Sequence, residues 1–326
     1  MEGGTVVRRL FAGVIAAVSP LSVGLPEEAP GSPPITTVGV YAAGEYVEGF
    51  PMIVGLRFEG GTRPGSAPTV VNYDLAMTAT GPATYLVLFE GENGRTLTIG
   101  SLACGYGEGS LHPRLRWIEI PCGNDLVVWL DVAQLASANP SDLTERHGFF
   151  PRKRPFPLAG RWHVLVSAGI TPRQSRFFNV VVREATADER GVASALAADG
   201  LGRSWFPAVV LRDDPLPAID HLPPVTRRIV ELIGVLRAAR RSAEEGLDAV
   251  RQAQGGWGYL ERLVDLVEYE CRVEIAKTDS SDEPPPLPKG STEGDLAVAQ
   301  IADGNGLVAQ LRAITPEQVE FIRRYD

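Results

Sequence analysis

Phe177-Phe178-Asn179-Val180-Val181-Val182-Arg183-Glu184-Ala185-Thr186-Ala187-Asp188-Glu189 changes character halfway along. Phe177–Val182 is β-branched and aromatic, the composition of a strand packed against a core. Thr186-Ala187-Asp188-Glu189 then has the S/T-x-x-E form, in which the first and fourth side chains satisfy each other's backbone N–H groups at a helix start. The chain is therefore expected to be β-rich before this point and helical after it.

Upstream, short runs recur at Thr37–Tyr41, Met52–Phe58, Val70–Met77, Tyr85–Phe89, Thr96–Ile99, Leu115–Ile120, Leu126–Val132 and Trp162–Ser167, bounded by Gly, Pro, Asn or Asp. Regular short strands separated by turn residues predict an antiparallel sandwich or barrel rather than alternating βαβ units. Glu92-Asn93-Gly94-Arg95 reads as a hairpin turn, because Asn-Gly readily takes the positive φ values such a turn needs. Downstream, Ala193–Ala198 runs to Gly200, a helix stop. Ile229, Val230, Ile233 and Leu236 recur at helical spacing, as do Leu260, Leu263, Val264, Val267 and Cys271. Ser242-Ala243-Glu244-Glu245 repeats the capping signature, Gly255-Gly256 breaks it, and Thr315-Pro316 with Gln318 starts a last helix.

These signals predict an α+β multidomain chain, an antiparallel immunoglobulin-like β-sandwich followed by a small helical bundle. The expected divisions are a signal peptide at 1–24, an extended spacer at 25–35, the sandwich at 36–184 and a helical domain at 185–277. An acidic, Pro-rich linker at 278–295 and C-terminal helices at 296–326 complete the chain. The linker has polyproline character, since Pro284-Pro285-Pro286-Leu287-Pro288 lies in it.

The 326 residues carry 31 Lys+Arg against 40 Asp+Glu, a net charge of -9, which disfavours a general nucleic-acid binder. A 44 % hydrophobic content is enough to bury a core, and the length suits two domains. Lys153, Lys277 and Lys289 are the only lysines. The arginine excess fits a GC-rich coding sequence and carries no functional reading.

Arg8-Arg9 precede the apolar run Leu10–Val18, then Ser19-Pro20, and Ser22-Val23-Gly24 supplies small residues for a cleavage site. That order of regions is that of a secretory signal, and the run is too short for a membrane span. The expectation is an extracytoplasmic protein, periplasmic or secreted, with no integral membrane span after signal removal. In such a compartment Cys104 and Cys122 can form a disulfide, worth about 3 kcal/mol by chain entropy. Two free thiols are the alternative if the protein stays inside.

Glu45-Tyr46-Val47-Glu48-Gly49-Phe50-Pro51 leads into Met52–Phe58, and Leu158-Ala159-Gly160-Arg161-Trp162-His163-Val164 leads into a late strand. Both stretches resemble bacterial extracytoplasmic immunoglobulin-like modules, which enter a strand after a G-x-P step and close with an x-G-x-Y-x-V strand. Trp162 stands where Tyr is usual. The resemblance spans the β-rich half and implies a sandwich, a fold that hosts many functions.

Sites for chemistry are sparse. His112, His147, His163 and His221 lie in different segments and no HExxH occurs, so no metal site is predicted. No serine sits in a GxSxG elbow, Cys271 lies on an apolar helical stripe, and no Walker loop occurs. No cofactor is expected. An acid/base pair can be drawn from Asp213, Asp214, Asp220 and His221, but loop acids beside prolines are usually solvated or capping, and Asp220 can cap the helix behind Pro223-Pro224. A binding surface is the better candidate. Arg146, His147, Arg152, Lys153 and Arg154 cluster with Phe149, Phe150 and Phe156 in a Pro-punctuated loop, a positive aromatic patch suited to an anionic glycan or an acidic envelope protein. The sequence thus predicts an exported, non-enzymatic binding or structural protein of the cell envelope. The alternatives are an envelope hydrolase using the acids of 213–221, and a cytoplasmic scaffold whose helices contact the partner.

Overall fold

Strand Ile53–Glu59 is flanked on both sides, and its glycine shows how. In the computed structural model, which describes residues 36–59, 69–73, 85–91, 96–100, 116–121, 123–131, 159–168, 175–196, 209–212, 214–253, 256–279, 284–291 and 294–316, it is the third strand, β3. It pairs antiparallel with β1 (Thr36–Tyr41) and with β8 (Asp125–Asp131). Gly55 is registered with Tyr41 on one side and Trp129 on the other. A Cβ at Gly55 would come within 2.9 Å of the Trp129 ring, so the missing side chain lets the indole lie across the strand. Tyr41 closes the row, its ring centroid 5.9 Å from that of Trp129.

A second sheet contains β2 (Glu45–Val47), β5 (Tyr85–Gly91), β6 (Thr96–Gly100), β9 (Gly160–Ala168) and β10 (Ser175–Arg183), in the order β2-β10-β9-β5-β6. β4 (Thr69–Tyr73) and β7 (Arg116–Ile120) pair separately. Each of the nine expected runs contains a strand, with 74–77, 115 and 132 lying outside the described residues. β5 and β6 pair antiparallel from Glu90↔Thr96, as the Asn-Gly hairpin requires, while the turn residues themselves lie outside the described residues.

The purely antiparallel expectation needs a correction. β2, which no run predicted, pairs parallel with β10 through Val181↔Glu45, Val182↔Tyr46 and Arg183↔Val47. The chain leaves β1 and passes straight into the edge of the other sheet, so β2 meets the outer side of a distant strand and not a hairpin partner. The sheet is therefore mixed.

After β10 come α1 (Ala187–Leu196), α2 (Pro224–Arg241), α3 (Ala243–Gln252), a 3₁₀ turn at Gly258–Leu260, α4 (Glu261–Thr278), α5 (Leu296–Ala302) and α6 (Leu307–Arg312). The fold class is α+β. The Thr186/Glu189 capping box closes in both directions: Glu189 N donates to Thr186 Oγ1 (3.2 Å) and Thr186 N to Glu189 Oε2 (2.9 Å). The Ser242 box closes in one direction only. Glu245 N donates to Ser242 Oγ (3.1 Å), but Ser242 N is already bonded to Ala238 O because α2 runs directly into α3, and Glu245 turns to Arg241. Gly246 permits that crossing, since a Cβ there would lie 2.8 Å from both Ala239 and Cys271 Sγ.

Both predicted helical stripes are buried, and they join the strands in one continuous core. Phe58, Trp129, Val164 and Val182 from the strands belong to the same apolar cluster as Ile233, Leu236, Val264 and Val267 from the helices. No helix among the described residues is long and apolar enough to cross a membrane.

Candidate functional site

Arg146, His147, Arg152, Lys153, Arg154 and Phe156 lie outside the described residues, as do Cys104, Cys122 and Asp213. Of the acid loop, Asp214 is placed beside two arginines. It meets Arg212 Nε at 3.0 Å and Arg237 Nη2 at 3.6 Å, and Arg237 also donates to Val209 O (2.8 Å) and Asp214 O (2.5 Å). The carboxylate lies between two guanidinium groups, one from Arg237, which ties Val209 and Asp214 to α2, and one from Arg212, which donates to Leu196 O at the end of α1. Asp220 and His221 are exposed. Asp220 does not cap α2: Pro223 is the N-cap and Pro224 opens the helix without a side-chain cap bond. His163 is on β9 and exposed, its Nδ1 bonded with Asn179 Oδ1 across the ladder.

The structure instead gathers polar groups where β2, β3, β8 and the 3₁₀ turn meet. Tyr46 is buried, accepts a hydrogen bond from Ala43 N (3.0 Å) and donates one to Ile53 O (2.9 Å). Tyr259, held on the turn after Gly258 (φ +58°), packs edge-on to it at 6.1 Å and hydrogen-bonds its hydroxyl. Asp131, buried at the end of β8, accepts from Met52 N (2.9 Å). Burial foremost, and the nearby Asp131 charge, push both phenols well above their ordinary range. Both therefore stay protonated at neutral pH and act as hydrogen-bond donors, not bases. The cluster fastens the helical turn to the start of the sheet. Tyr46 stands within the Glu45–Pro51 motif and Asp131 within the strand run Leu126–Val132, but neither signal marks a site, and Tyr259 carries none.

Three other buried acids do comparable work. Glu189 accepts both terminal nitrogens of Arg183 (2.6 Å each) and the Thr226 hydroxyl of α2. Burial alone would raise its carboxyl, but Arg183, Thr226 and the Thr186 N–H outweigh it and hold it at about 2. Glu270 of α4 accepts from Val308 N (2.9 Å) and Ala309 N (2.8 Å), capping α6 from another helix. Gly306 makes room for it, since a Cβ there would overlap the carboxylate. The Asp295 carboxylate caps α5 through Ala297 N (3.0 Å) and pairs with Arg262, while its backbone forms an isolated parallel β-bridge with Asp125 of β8. Cys271, beside Glu270, is buried and its thiol is pushed up to about 12, chiefly by desolvation and then by the Glu270 charge. Among the described residues no three or more His, Cys, Asp and Glu side chains are arranged to hold a metal ion.

No protein-family model matches this chain, and no curated protein matches it either.

Proposed function

We propose that the protein is an exported, non-enzymatic binding or structural module of the cell envelope. Its two main sheets, β1-β3-β8 and β2-β10-β9-β5-β6, are read as the facing layers of an immunoglobulin-like sandwich. The loop around Arg146, His147, Arg152, Lys153, Arg154 and Phe156 is the surface for an anionic glycan or an acidic envelope protein. The observation that carries this reading is the employment of the buried acids. Glu189, Glu270, Asp131 and Asp295 each accept backbone N–H groups, and Glu189 and Asp295 also take an arginine, so each is spent on holding elements together. Export is supported by the order of regions from Arg8 to Gly24 and by the pair Cys104 and Cys122.

The test is the unreduced intact mass of the protein recovered from fractionated native cells, followed by a hydrolase substrate panel on the same material. Loss of the first two dozen residues or so, with the deficit of about 2 Da that one disulfide leaves, is the expected outcome. A full-length mass with alkylatable Cys104 and Cys122 overturns export, and turnover abolished by Asp214→Asn overturns the non-enzymatic reading.

A further inference from the structure

Pro284-Pro285-Pro286-Leu287-Pro288-Lys289 follows α4 without helix or strand hydrogen bonding. Pro284, Pro285 and Leu287 each precede a proline, which drives a residue out of the helical region, and proline itself holds φ near −65°. The run Pro284–Pro288 therefore favours polyproline II, a helix that repeats every three residues, and Lys289 opens the turn that follows it. On it, 284 and 287 share one edge, 285 and 288 a second, and 286 stands on the third.

Burial follows that threefold pattern. Pro284 and Leu287 are exposed, Pro286 is exposed, Pro285 is half-buried and Pro288 is buried. Leu287 is 43 % exposed, one of two large hydrophobic residues so exposed among those described. The inward edge is anchored from the far end: Ser291 N donates to Pro288 O (3.0 Å), and Arg262 Nη1 donates to Lys289 O (3.3 Å) and to Ser291 Oγ. The Lys289 side chain is 88 % exposed, its Nζ 4.0 Å from Glu261.

We propose that Pro284–Lys289 is a docking ligand, displayed for a partner protein domain with an aromatic-lined groove that reads polyproline II and a carboxylate placed to meet Lys289. The chemistry matches on each count. Two edges of a preformed helix are presented, so binding costs little ordering entropy. The proline rings and Leu287 offer apolar faces to aromatic side chains, and because polyproline II makes no internal hydrogen bonds the carbonyls ahead of Pro288 and Lys289, whose own are taken by Ser291 N and Arg262, can accept from the groove. The inference is independent of export and of the basic loop.

The experiment titrates the intact chain, and separately a synthetic 284–289 peptide, into an isotope-labelled WW domain selective for Pro-Pro-Leu-Pro peptides. Saturable shifts of the groove aromatics by the intact chain are expected. Leu287→Asp and Pro286→Ala, both at exposed positions, should each weaken binding by about tenfold with an unchanged melting temperature. Binding of the peptide but not of the intact chain overturns the proposal, because the segment is then occluded. Binding of neither, or equal binding by the Leu287→Asp chain, overturns it as well.

Discussion

Arginine does the work at single positions that the coding-bias reading left unassigned. Arg237, Arg240, Arg212 and Arg312 donate to the main-chain carbonyls of Val209, Leu211, Leu196 and Ala239, at the ends of helices and loops next to the core. The planar fork can serve a carbonyl and a carboxylate at once, as Arg312 does with Ala239 and Glu274, and a lysine cannot reproduce that. Glu189 is the clearest single-residue case. Its carboxyl is held at about 2 against an ordinary 4.5, so the folded state gains stability wherever the carboxylate is ionised. That gain is complete above about pH 4.5 and is lost as pH falls toward about 2. Glu189→Gln should cost about 2 kcal/mol at pH 7, below the fully buried case because Arg183 is partly exposed, and should flatten the acid limb of a urea-midpoint profile between those pH values. An unchanged acid limb would show that the Arg183 pair contributes nothing to folding.

Short elements are fastened by side chains from other elements. α6 has six residues, too few to be stable alone, and its N-terminal N–H groups are satisfied by Glu270 from α4. Arg312 at its other end grips Glu274 of α4 and the carbonyl of Ala239 in α2. Gly306→Ala would push a methyl into the Glu270 carboxylate, which must then move off its two N–H donors. Hydrogen exchange should report this as faster exchange at Val308 and Ala309, with a global stability loss of about 1–3 kcal/mol. Protection equal to that of the parent chain at those two amides would refute the role given to Glu270.

At the largest scale the described strands and helices belong to one compact unit, Pro34–Asp326, with a shared core. Tyr259 reaches Tyr46 of β2, and the backbone of Asp295 is bridged to that of Asp125 of β8, so a strand of each main sheet is tied to the helical segment. Unfolding followed by tryptophan fluorescence, which includes Trp129 and Trp162 in the sheets, and by far-ultraviolet circular dichroism at the helix minimum should give coincident transitions. Separated midpoints would mean that the two halves melt independently despite the common core.

The sequence by itself determined what depends on neighbours within a few residues. Nine strand runs, the Thr186/Glu189 capping box and the stripes Ile229–Leu236 and Leu260–Cys271 were all legible, because alternation, helical spacing and caps are local properties of the chain. Of the candidate sites, Asp214 was legible as an acid but not as the partner of Arg212 and Arg237, and of the Tyr46, Tyr259 and Asp131 cluster only Tyr46 stood in a quoted motif, with nothing to link it to the other two. β2 was missed because three residues carry too little periodicity to declare a strand, and its parallel partner lies far along the chain. Only the tertiary structure decided these pairings. A buried carboxylate or phenol takes whichever donor the packed elements bring within hydrogen-bond reach, and no spacing within the sequence encodes that distance.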